Sequence, residues 1–147
     1  MDYRKAQLND LNLIAVLFDD YRVFYEQTSD LKGSKHFLKE RLLNSDAEIF
    51  VCQNTDKELL GFVQLYPIFS STRMKKLWLL NDLFVNPNYR GRGISIQLIE
   101  CAKDLSRKTN SAGLILETAK SNTIGNKLYS QTGFQLDEGH NYYSWEE

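Results

Sequence analysis

The chain has 147 residues, of which 42% are apolar and 25% are charged, with a formal net charge of −1 and an isoelectric point near 6.1. This length suits one domain that buries its own core, so we expect residues 1–147 to form a single domain. The near-neutral charge argues against a broad nucleic-acid-binding face. No apolar run reaches membrane-spanning length and the N-terminus is polar, which indicates a cytoplasmic protein that does not contact membranes.

Cysteine and histidine usage predicts neither a metal site nor a redox site. Cys52 and Cys101 lie far apart in the sequence, without the paired spacing of metal ligands or redox motifs. We expect them to be buried free thiols. The two histidines, His36 and His140, are isolated and are expected at the surface.

Hydrophobic periodicity predicts alternating strands and helices along the chain. Pro67 is expected to end the third strand, and Gly133 to end the last helix. In chain order, the predicted elements are a strand at 3–6, helices from 11 to about 26 and from 34 to about 44, strands at 47–53, 59–66 and 77–85, a helix from 94 to about 108, a strand at 113–118, a helix from 123 to about 132, and strands at 134–136 and 142–145.

This order of elements predicts a mixed α/β domain. Antiparallel hairpins come first. A right-handed parallel crossover then joins the strand at 77–85, through a helix, to the strand at 113–118. We expect a central, mostly antiparallel sheet of six to seven strands with about four helices.

A glycine-rich basic loop connects the strand at 77–85 to the next helix. Residues 86–95 read Asn-Pro-Asn-Tyr-Arg-Gly-Arg-Gly-Ile-Ser. Free loop N–H groups, glycines and a helix N-terminus favour an anion, and two arginines add positive charge. The P-loop pattern G-x-x-x-x-G-K-[ST] is absent, and Ile96 stands where a dinucleotide fingerprint needs its third glycine. Taken alone, the loop also fits a tight turn with two solvated arginines.

Two motifs together resemble the GCN5-related N-acetyltransferase (GNAT) family. Arg90-x-x-Gly93-x-Ser95 is similar to that family's acyl-CoA loop, [Q/R]-x-x-G-x-[G/A], with Ser95 as a departure at the last place. Asn122 and residues 128–134, Leu-Tyr-Ser-Gln-Thr-Gly-Phe, resemble its second signature. The element order fits along essentially the whole chain. Residues 80–85 and the aromatic first helix look like the small enzymes associated with histone-tail or polyamine acetylation.

The resemblance implies an acetyl-CoA-dependent enzyme that acetylates a primary amine directly, without a covalent enzyme intermediate. Loop N–H groups would cradle the CoA pyrophosphate, and the end of the preceding strand would pair with the pantetheine arm, with an N–H of Phe84 or Val85 at the thioester oxygen. Tyr129 would protonate the departing thiolate. The implied cofactor-binding residues are Leu83, Phe84, Val85, Arg90, Gly91, Arg92, Gly93, Ile94, Ser95, Ile96, Asn122 and Tyr129.

Each implied role has an ordinary structural alternative. Residues 83–85 also fit a buried strand, and Tyr129 also fits the packing face of the last short helix. Asn122 also fits a helix cap.

Asn81 is expected to be the second catalytic residue, beside Tyr129, and to act on the acceptor side. It departs from the pattern of several relatives. Several polyamine-type relatives carry a glutamate base there, whereas an amide can only orient water or the acceptor. Strand alternation puts Asp82 on the opposite face. A water relay is the first expectation for the base, with Glu26 and Glu117 as weaker candidates, and aromatics beside a carboxylate suit a cationic chain. For each of these residues, packing or solvation is the favoured explanation. The acceptor-site candidates are Tyr21, Tyr25, Glu26 and Glu117.

The expected partner is therefore a small-molecule or peptide amine, with a homodimer as a further expectation from the resemblance. Because Asn81 cannot act as a base, a non-catalytic acyl-CoA-binding or regulatory module is the main alternative. A nucleotide-phosphate binder is the third hypothesis.

Overall fold

The computed structural model describes residues 1–147 and comprises two compact units, Met1–Glu117 and Thr118–Glu147. The second unit contains one regular element, α4 (Thr123–Gln131). The elements of the first unit are β1 (Asp2–Lys5), a 3₁₀ turn (Leu8–Asp10), α1 (Leu11–Phe24), α2 (Leu31–Asn44), β2 (Glu48–Gln53), β3 (Leu59–Ser70), β4 (Lys75–Val85), a second 3₁₀ turn (Pro87–Tyr89), α3 (Ile94–Lys108) and β5 (Leu114–Ile115).

The strands of the first unit form one sheet in the order β1-β2-β3-β4-β5. Neighbouring strands from β1 to β4 are antiparallel, and β5 lies parallel to β4. This confirms the mixed α/β class, the four helices and the parallel crossover from β4 through α3 to β5.

Helices cover both faces of this sheet. The buried stripe of α1 includes Leu11, Ile14 and Phe18, at helical spacing, and packs with Phe62 in one core. On the other face, Leu98 of α3 approaches β3 so closely that a Cβ at Gly61 would lie 3.4 Å from its side chain and 2.8 Å from the Phe84 carbonyl oxygen. Only glycine fits there.

The sheet has five strands, so the expected six to seven is wrong in number. The two strands predicted at 134–136 and 142–145 are absent, and the segment has no regular structure. Leu136, Tyr142 and Trp145 are 82%, 77% and 80% exposed. Apolar alternation alone does not produce a strand, because a strand needs a hydrogen-bonded neighbour and an isolated hairpin is marginal in water.

Two other strands differ from their predicted lengths. The strand expected at 113–118 shrinks to Leu114–Ile115, and the third strand runs through Pro67 to Ser70. Proline is tolerated because β2 has ended by then, its last partner on β3 being Leu65. The residue opposite Pro67 is Trp78, whose N–H donates to the Gly113 carbonyl on the other side of β4. The missing N–H therefore costs no ladder bond.

A buried carboxylate, Asp19, fixes the junction between α1 and α2. It accepts hydrogen bonds from the Ser29 hydroxyl at 2.6 Å, the Asp30 backbone N–H at 2.7 Å and the Ser34 hydroxyl at 3.4 Å. The Asp30 side chain in turn caps α2 by accepting from the Gly33 N–H. This chain of bonds explains why α2 begins at Leu31, three residues before its predicted start.

Asp19→Asn is expected to destabilise the protein at neutral pH by roughly 1.5–3 kcal/mol, the range for hydrogen bonds to charged groups. The Ser29 hydroxyl bond, followed by the Asp30 N–H, lowers the pKa of Asp19 below its usual value of 3.8. A depressed carboxyl pKa gives stability that is present above the unfolded-state pKa and lost as pH falls through the folded-state value. The difference from wild type, measured by urea unfolding, should therefore shrink below about pH 4.

The adjacent Asp20→Asn is the matched control, because Asp20 is exposed. It should unfold like wild type at every pH. An Asp19→Asn penalty that persisted unchanged at pH 2 would contradict the ionic explanation.

Candidate functional site

The glycine loop adopts the left-handed backbone conformation at two positions. Gly91 and Gly93 have φ values of 75° and 77°. A Cβ at either glycine would have no atom within 4 Å, so the requirement for glycine is conformational, not steric. These two residues turn the chain out of β4 and aim it into α3.

Six consecutive backbone N–H groups at this turn, from Gly91 to Ile96, donate no hydrogen bond within the protein. Gly93 is the N-cap of α3 and has no side chain to satisfy them, and the first helical bond runs from the Gln97 N–H to the Gly93 carbonyl at 3.2 Å. Unpartnered N–H groups at a helix N-terminus carry partial positive charge and bind anions. The geometry fits a pyrophosphate.

The two loop arginines occupy different surroundings. The Arg90 Nε donates to the Val85 carbonyl at 2.9 Å, and its guanidinium lies 5.4 Å from the ring centroids of both Phe24 and Phe84. Arg92 is exposed, and its guanidinium lies 5.2 Å from the Tyr89 ring. Arg90 therefore joins the loop base to α1 and β4, while Arg92 is available to an anion at the loop.

One edge of β4 is unpaired beside the loop. β5 pairs with β4 only at Trp78 and Leu79, so β4 has no partner on that side from Leu80 onward. The Asn86 N–H donates to the Leu60 carbonyl of β3, and strand alternation then directs the Phe84 N–H toward β3 and those of Leu83 and Val85 toward the open edge. An extended ligand can add to such an edge as a strand does.

A β-bulge at Asn81 interrupts β4 at the start of this open edge. Gln64 pairs with Asp82 and Leu65 with Leu80, which leaves Asn81 as the extra residue. Asn81 is exposed, whereas Asp82 is 4% exposed. The two side chains are nevertheless linked, because the Asn81 Nδ2 donates to Asp82 Oδ1 at 3.0 Å.

Sequence reasoning missed Gln64, which is fully buried and donates through Nε2 to Asp82 Oδ2 at 2.8 Å. The available signal was a glutamine inside the apolar run Phe-Val-Gln-Leu-Tyr of β3. A buried amide in such a run requires a polar partner on a neighbouring strand.

The four acceptor-site candidates all belong to the first unit. Tyr21 packs on the core, its ring centroid 5.9 Å from Phe62 and 6.1 Å from Phe84. Tyr25 is exposed and contacts Tyr21 edge-on, at 5.0 Å. Glu26 and Glu117 are exposed, and the first helix ends at Phe24, before Glu26. Tyr21 and Tyr25 thus lie together between the end of α1 and β4.

The second unit contains the remaining two predicted residues. Asn122 caps α4, since its Oδ1 accepts from the Gly125 N–H at 3.0 Å, and its Nδ2 donates to the Thr118 hydroxyl at 3.0 Å. Tyr129 is half-buried on α4 and packs edge-on against Phe134, with ring centroids 5.7 Å apart.

The other reactive side chains form no second site. Burial raises the pKa of both cysteine thiols, with Cys52 buried and Cys101 half-buried, and both are free. No three His, Cys, Asp or Glu side chains are grouped to hold a metal ion. None of the helices is both long and apolar enough to span a membrane.

Comparison with known proteins gives a family, a relative and a solved structure that this chain is similar to. Residues 13–134 match the model of the acetyltransferase (GNAT) family. An uncharacterized N-acetyltransferase, YhfO, of Bacillus subtilis (strain 168) is 42% identical over 97% of this chain and 95% of its own length. The crystal structure of a probable acetyltransferase superimposes with a TM-score of 0.95 at 34% identity, covering 100% of this chain and 98% of that one.

A third comparison concerns the fold alone. A predicted acetyltransferase from Clostridium acetobutylicum, whose structure was solved with acetyl-CoA, has a TM-score of 0.79 at 16% identity, over 97% of this chain and 95% of that one. Enzymes of this family use acetyl-CoA as cosubstrate, which fits the anion-binding turn and the open edge of β4. The chain belongs to the GNAT family and is an acyltransferase.

Proposed function

We propose that this acetyltransferase transfers the acetyl group of acetyl-CoA directly to a primary amine, either on a small molecule such as a polyamine or on a lysine-like side chain. The observation that supports the proposal most is the run of unpartnered N–H groups from Gly91 to Ile96, beside the unpaired edge of β4. The acceptor class rests on the resemblance of residues 80–85 and of the aromatic first helix to histone-tail and polyamine enzymes.

The cofactor site would extend from the loop along β4. The N–H groups of residues 91–96 and the Arg92 guanidinium would hold the pyrophosphate, and Arg90 would support the loop through its bond to Val85. The backbone of Leu83 and Val85 would pair with the pantetheine arm, with the Phe84 side chain beneath it. In the second unit, Asn122 would contact the same arm.

When bound, acetyl-CoA supplies an acetyl group activated as a thioester. The amine nitrogen forms a bond to the acetyl carbon while the carbon–sulfur bond breaks. The Val85 N–H, which points to the open edge, would donate to the acetyl oxygen. Asn81 would position the acceptor ammonium, whose excess proton passes to water before the amine attacks, and the Tyr129 hydroxyl would give its proton to the departing sulfur. The second proton, which the nitrogen loses as the amide forms, would return to the Tyr129 oxygen through water.

Ligand-dependent thermal unfolding tests the cofactor class. Acetyl-CoA at a hundred times its dissociation constant should stabilise the native state by about 2.7 kcal/mol. ATP and NAD, at the same concentration, should raise Tm less. A larger rise with ATP or NAD would favour a nucleotide-phosphate binder and contradict the proposal.

Release of free thiol from acetyl-CoA tests the reaction itself, over a panel of polyamines, amino acids, aminoglycosides and basic peptides. We expect thiol release with at least one primary amine. Tight acetyl-CoA binding without thiol release across the panel would instead support a non-catalytic acyl-CoA-binding module, the alternative that Asn81 suggests.

We also propose that both units act together as one acetyltransferase domain in the cytoplasm, since each unit carries one of the two motifs. A homodimer is proposed from the frequency of dimers among relatives. Light scattering of the purified chain tests the homodimer directly.

A further inference from the structure

Asp82 is a buried carboxylate without a cationic partner. It is 4% exposed, and no lysine, arginine or histidine nitrogen lies within 4.0 Å of its oxygens, which accept only from the amides of Asn81 and Gln64. Buried carboxylates normally have a cation or a metal beside them, because an unpaired charge in the interior is costly. The missing positive charge points to a cationic ligand.

Neither Tyr66 nor Arg41 supplies that charge. Tyr66 lies near enough to sense Asp82: burial, with a contribution from the Asp82 charge, raises the pKa of Tyr66 far above its usual range, so its phenol stays neutral. Arg41 also acts on Tyr66, but its Nε is bound to Asp46 at 2.7 Å and its guanidinium lies over Phe37. Asp82 therefore remains uncompensated.

Gln64 fixes the orientation of this carboxylate. Its Nε2 donates to Asp82 Oδ2 while its buried Oε1 has no partner. Reversing the amide would place Oε1 against the carboxylate, so the donor must face Asp82 even though Oε1 is left unsatisfied. An unsatisfied buried acceptor is destabilising, so the bond to Asp82 is what holds the Gln64 amide in this orientation.

Asn81 brings the effect of Asp82 to the surface. The Asn81 Nδ2 donates to Asp82 Oδ1. The Asn81 Oδ1, on the opposite branch of the amide, makes no hydrogen bond, and Asn81 is exposed at the bulge. Hydrogen bonds in a chain polarise one another, so the carboxylate makes the Asn81 carbonyl a stronger acceptor. This oxygen lies where β4 loses its β5 partner.

We propose that Gln64, Asp82 and Asn81 form a relay that selects a cationic acceptor. Asn81 Oδ1 accepts an N–H of the ammonium group, and Asp82, held by Gln64, is the positioning residue that orients and polarises the Asn81 amide. The relay explains how the Asn81 amide can bind the acceptor at a position where several polyamine-type relatives carry a glutamate base. It rests on the proposed amine acetylation and identifies the ammonium form as the species that binds.

Steady-state kinetics with the best amine of the panel test the relay. Asp82→Asn and Asn81→Ala should each raise the amine KM about tenfold, the effect of losing one charge-assisted hydrogen bond, while the acetyl-CoA KM stays unchanged. The amine KM of the double variant should not exceed that of Asn81→Ala, because both changes remove the same interaction with the ammonium group. Asn54→Ala is the matched control, since Asn54 makes a similar bond to Glu58, at 2.7 Å, in an exposed turn.

Nuclear magnetic resonance tests the same relay without acetyl-CoA. The Asn81 side-chain N–H₂ signal should lie downfield in wild type and shift upfield in Asp82→Asn. Titration with n-butylammonium should move the Asn81 side-chain carbonyl signal, whereas tetramethylammonium, which has no N–H to donate, should not. Since Asn81 is exposed, Asn81→Ala keeps the kinetic test valid even if Asp82→Asn folds poorly.

The relay would be overturned if the amine KM effects of Asp82→Asn and Asn81→Ala added in the double variant. It would also be overturned if n-butylammonium and tetramethylammonium shifted the Asn81 carbonyl signal equally, or if Asp82→Asn left the Asn81 N–H₂ signal unmoved. If the wild type acetylates amines but Asn81→Ala keeps the wild-type amine KM, the relay and the role of Asn81 are refuted, while the proposed amine acetylation stands. Failure of the wild type to acetylate any amine would refute the function instead.

Discussion

Arg92→Glu is expected to weaken acetyl-CoA binding at least tenfold without disturbing the fold. Arg92 is exposed and its one described contact is with the Tyr89 ring, so the native structure does not depend on its charge. A charge-assisted bond to phosphate contributes roughly 1.5–3 kcal/mol, and each 1.4 kcal/mol is about tenfold in affinity. The reversed charge also opposes an anion at the N-terminus of α3. Calorimetric titration of the free enzyme with acetyl-CoA measures the loss.

Arg107→Glu is the control for net charge, because Arg107 is exposed in the last turn of α3 and pairs with Asp104. It should bind acetyl-CoA like wild type. S-acetyl-pantetheine, which lacks the pyrophosphate, provides the second control and should bind Arg92→Glu and wild type equally. If Arg92→Glu lost affinity for both ligands to the same degree, the arginine would not act on the phosphates.

The elements that the sequence predicted well are those whose signal is local. The buried stripe of α1 follows the 3.6-residue period, and the parallel crossover follows from an apolar strand, a loop and an amphipathic helix in succession. The loop glycines were equally visible, because a left-handed turn into a helix restricts the residue type at Gly91 and Gly93. Each of these inferences needed only neighbouring residues.

The errors concern pairing between distant segments. Pro67 was expected to end its strand, but the chain cannot reveal that β2 stops opposite Leu65, so that no ladder bond is lost. Likewise, residues 142–145 have the composition of a strand, yet Tyr143 is 90% exposed. Composition reports the preference of a segment, whereas a strand exists only where a neighbour accepts its hydrogen bonds.

The candidate site shows the same division. Strand alternation predicts that Asp82 lies on the face opposite Asn81, but the bulge interrupts this alternation and the two side chains are hydrogen-bonded, although Asn81 is exposed and Asp82 is buried. The bulge joins them, and the bulge arises from the register between Gln64 and Asp82, 18 residues apart. No local pattern encodes that register. The link from Gln64 through Asp82 to Asn81 is therefore visible only in the structure.

Tyr129→Phe is expected to lower turnover roughly a hundredfold, within the range for loss of a general acid. The substitution removes only the hydroxyl. The ring, which packs edge-on against Phe134, is retained, and circular dichroism of the variant checks that the fold is unchanged. Because the hydroxyl would act only as the sulfur departs, kcat and kcat/KM should fall together while the dissociation constant for acetyl-CoA is unchanged.

The control is Tyr143→Phe, since Tyr143 is 90% exposed and the same hydroxyl is removed from the same unit. Its turnover should equal that of wild type. Wild-type turnover of Tyr129→Phe at every pH would exclude Tyr129 as the acid, and thiolate departure would then require only solvent.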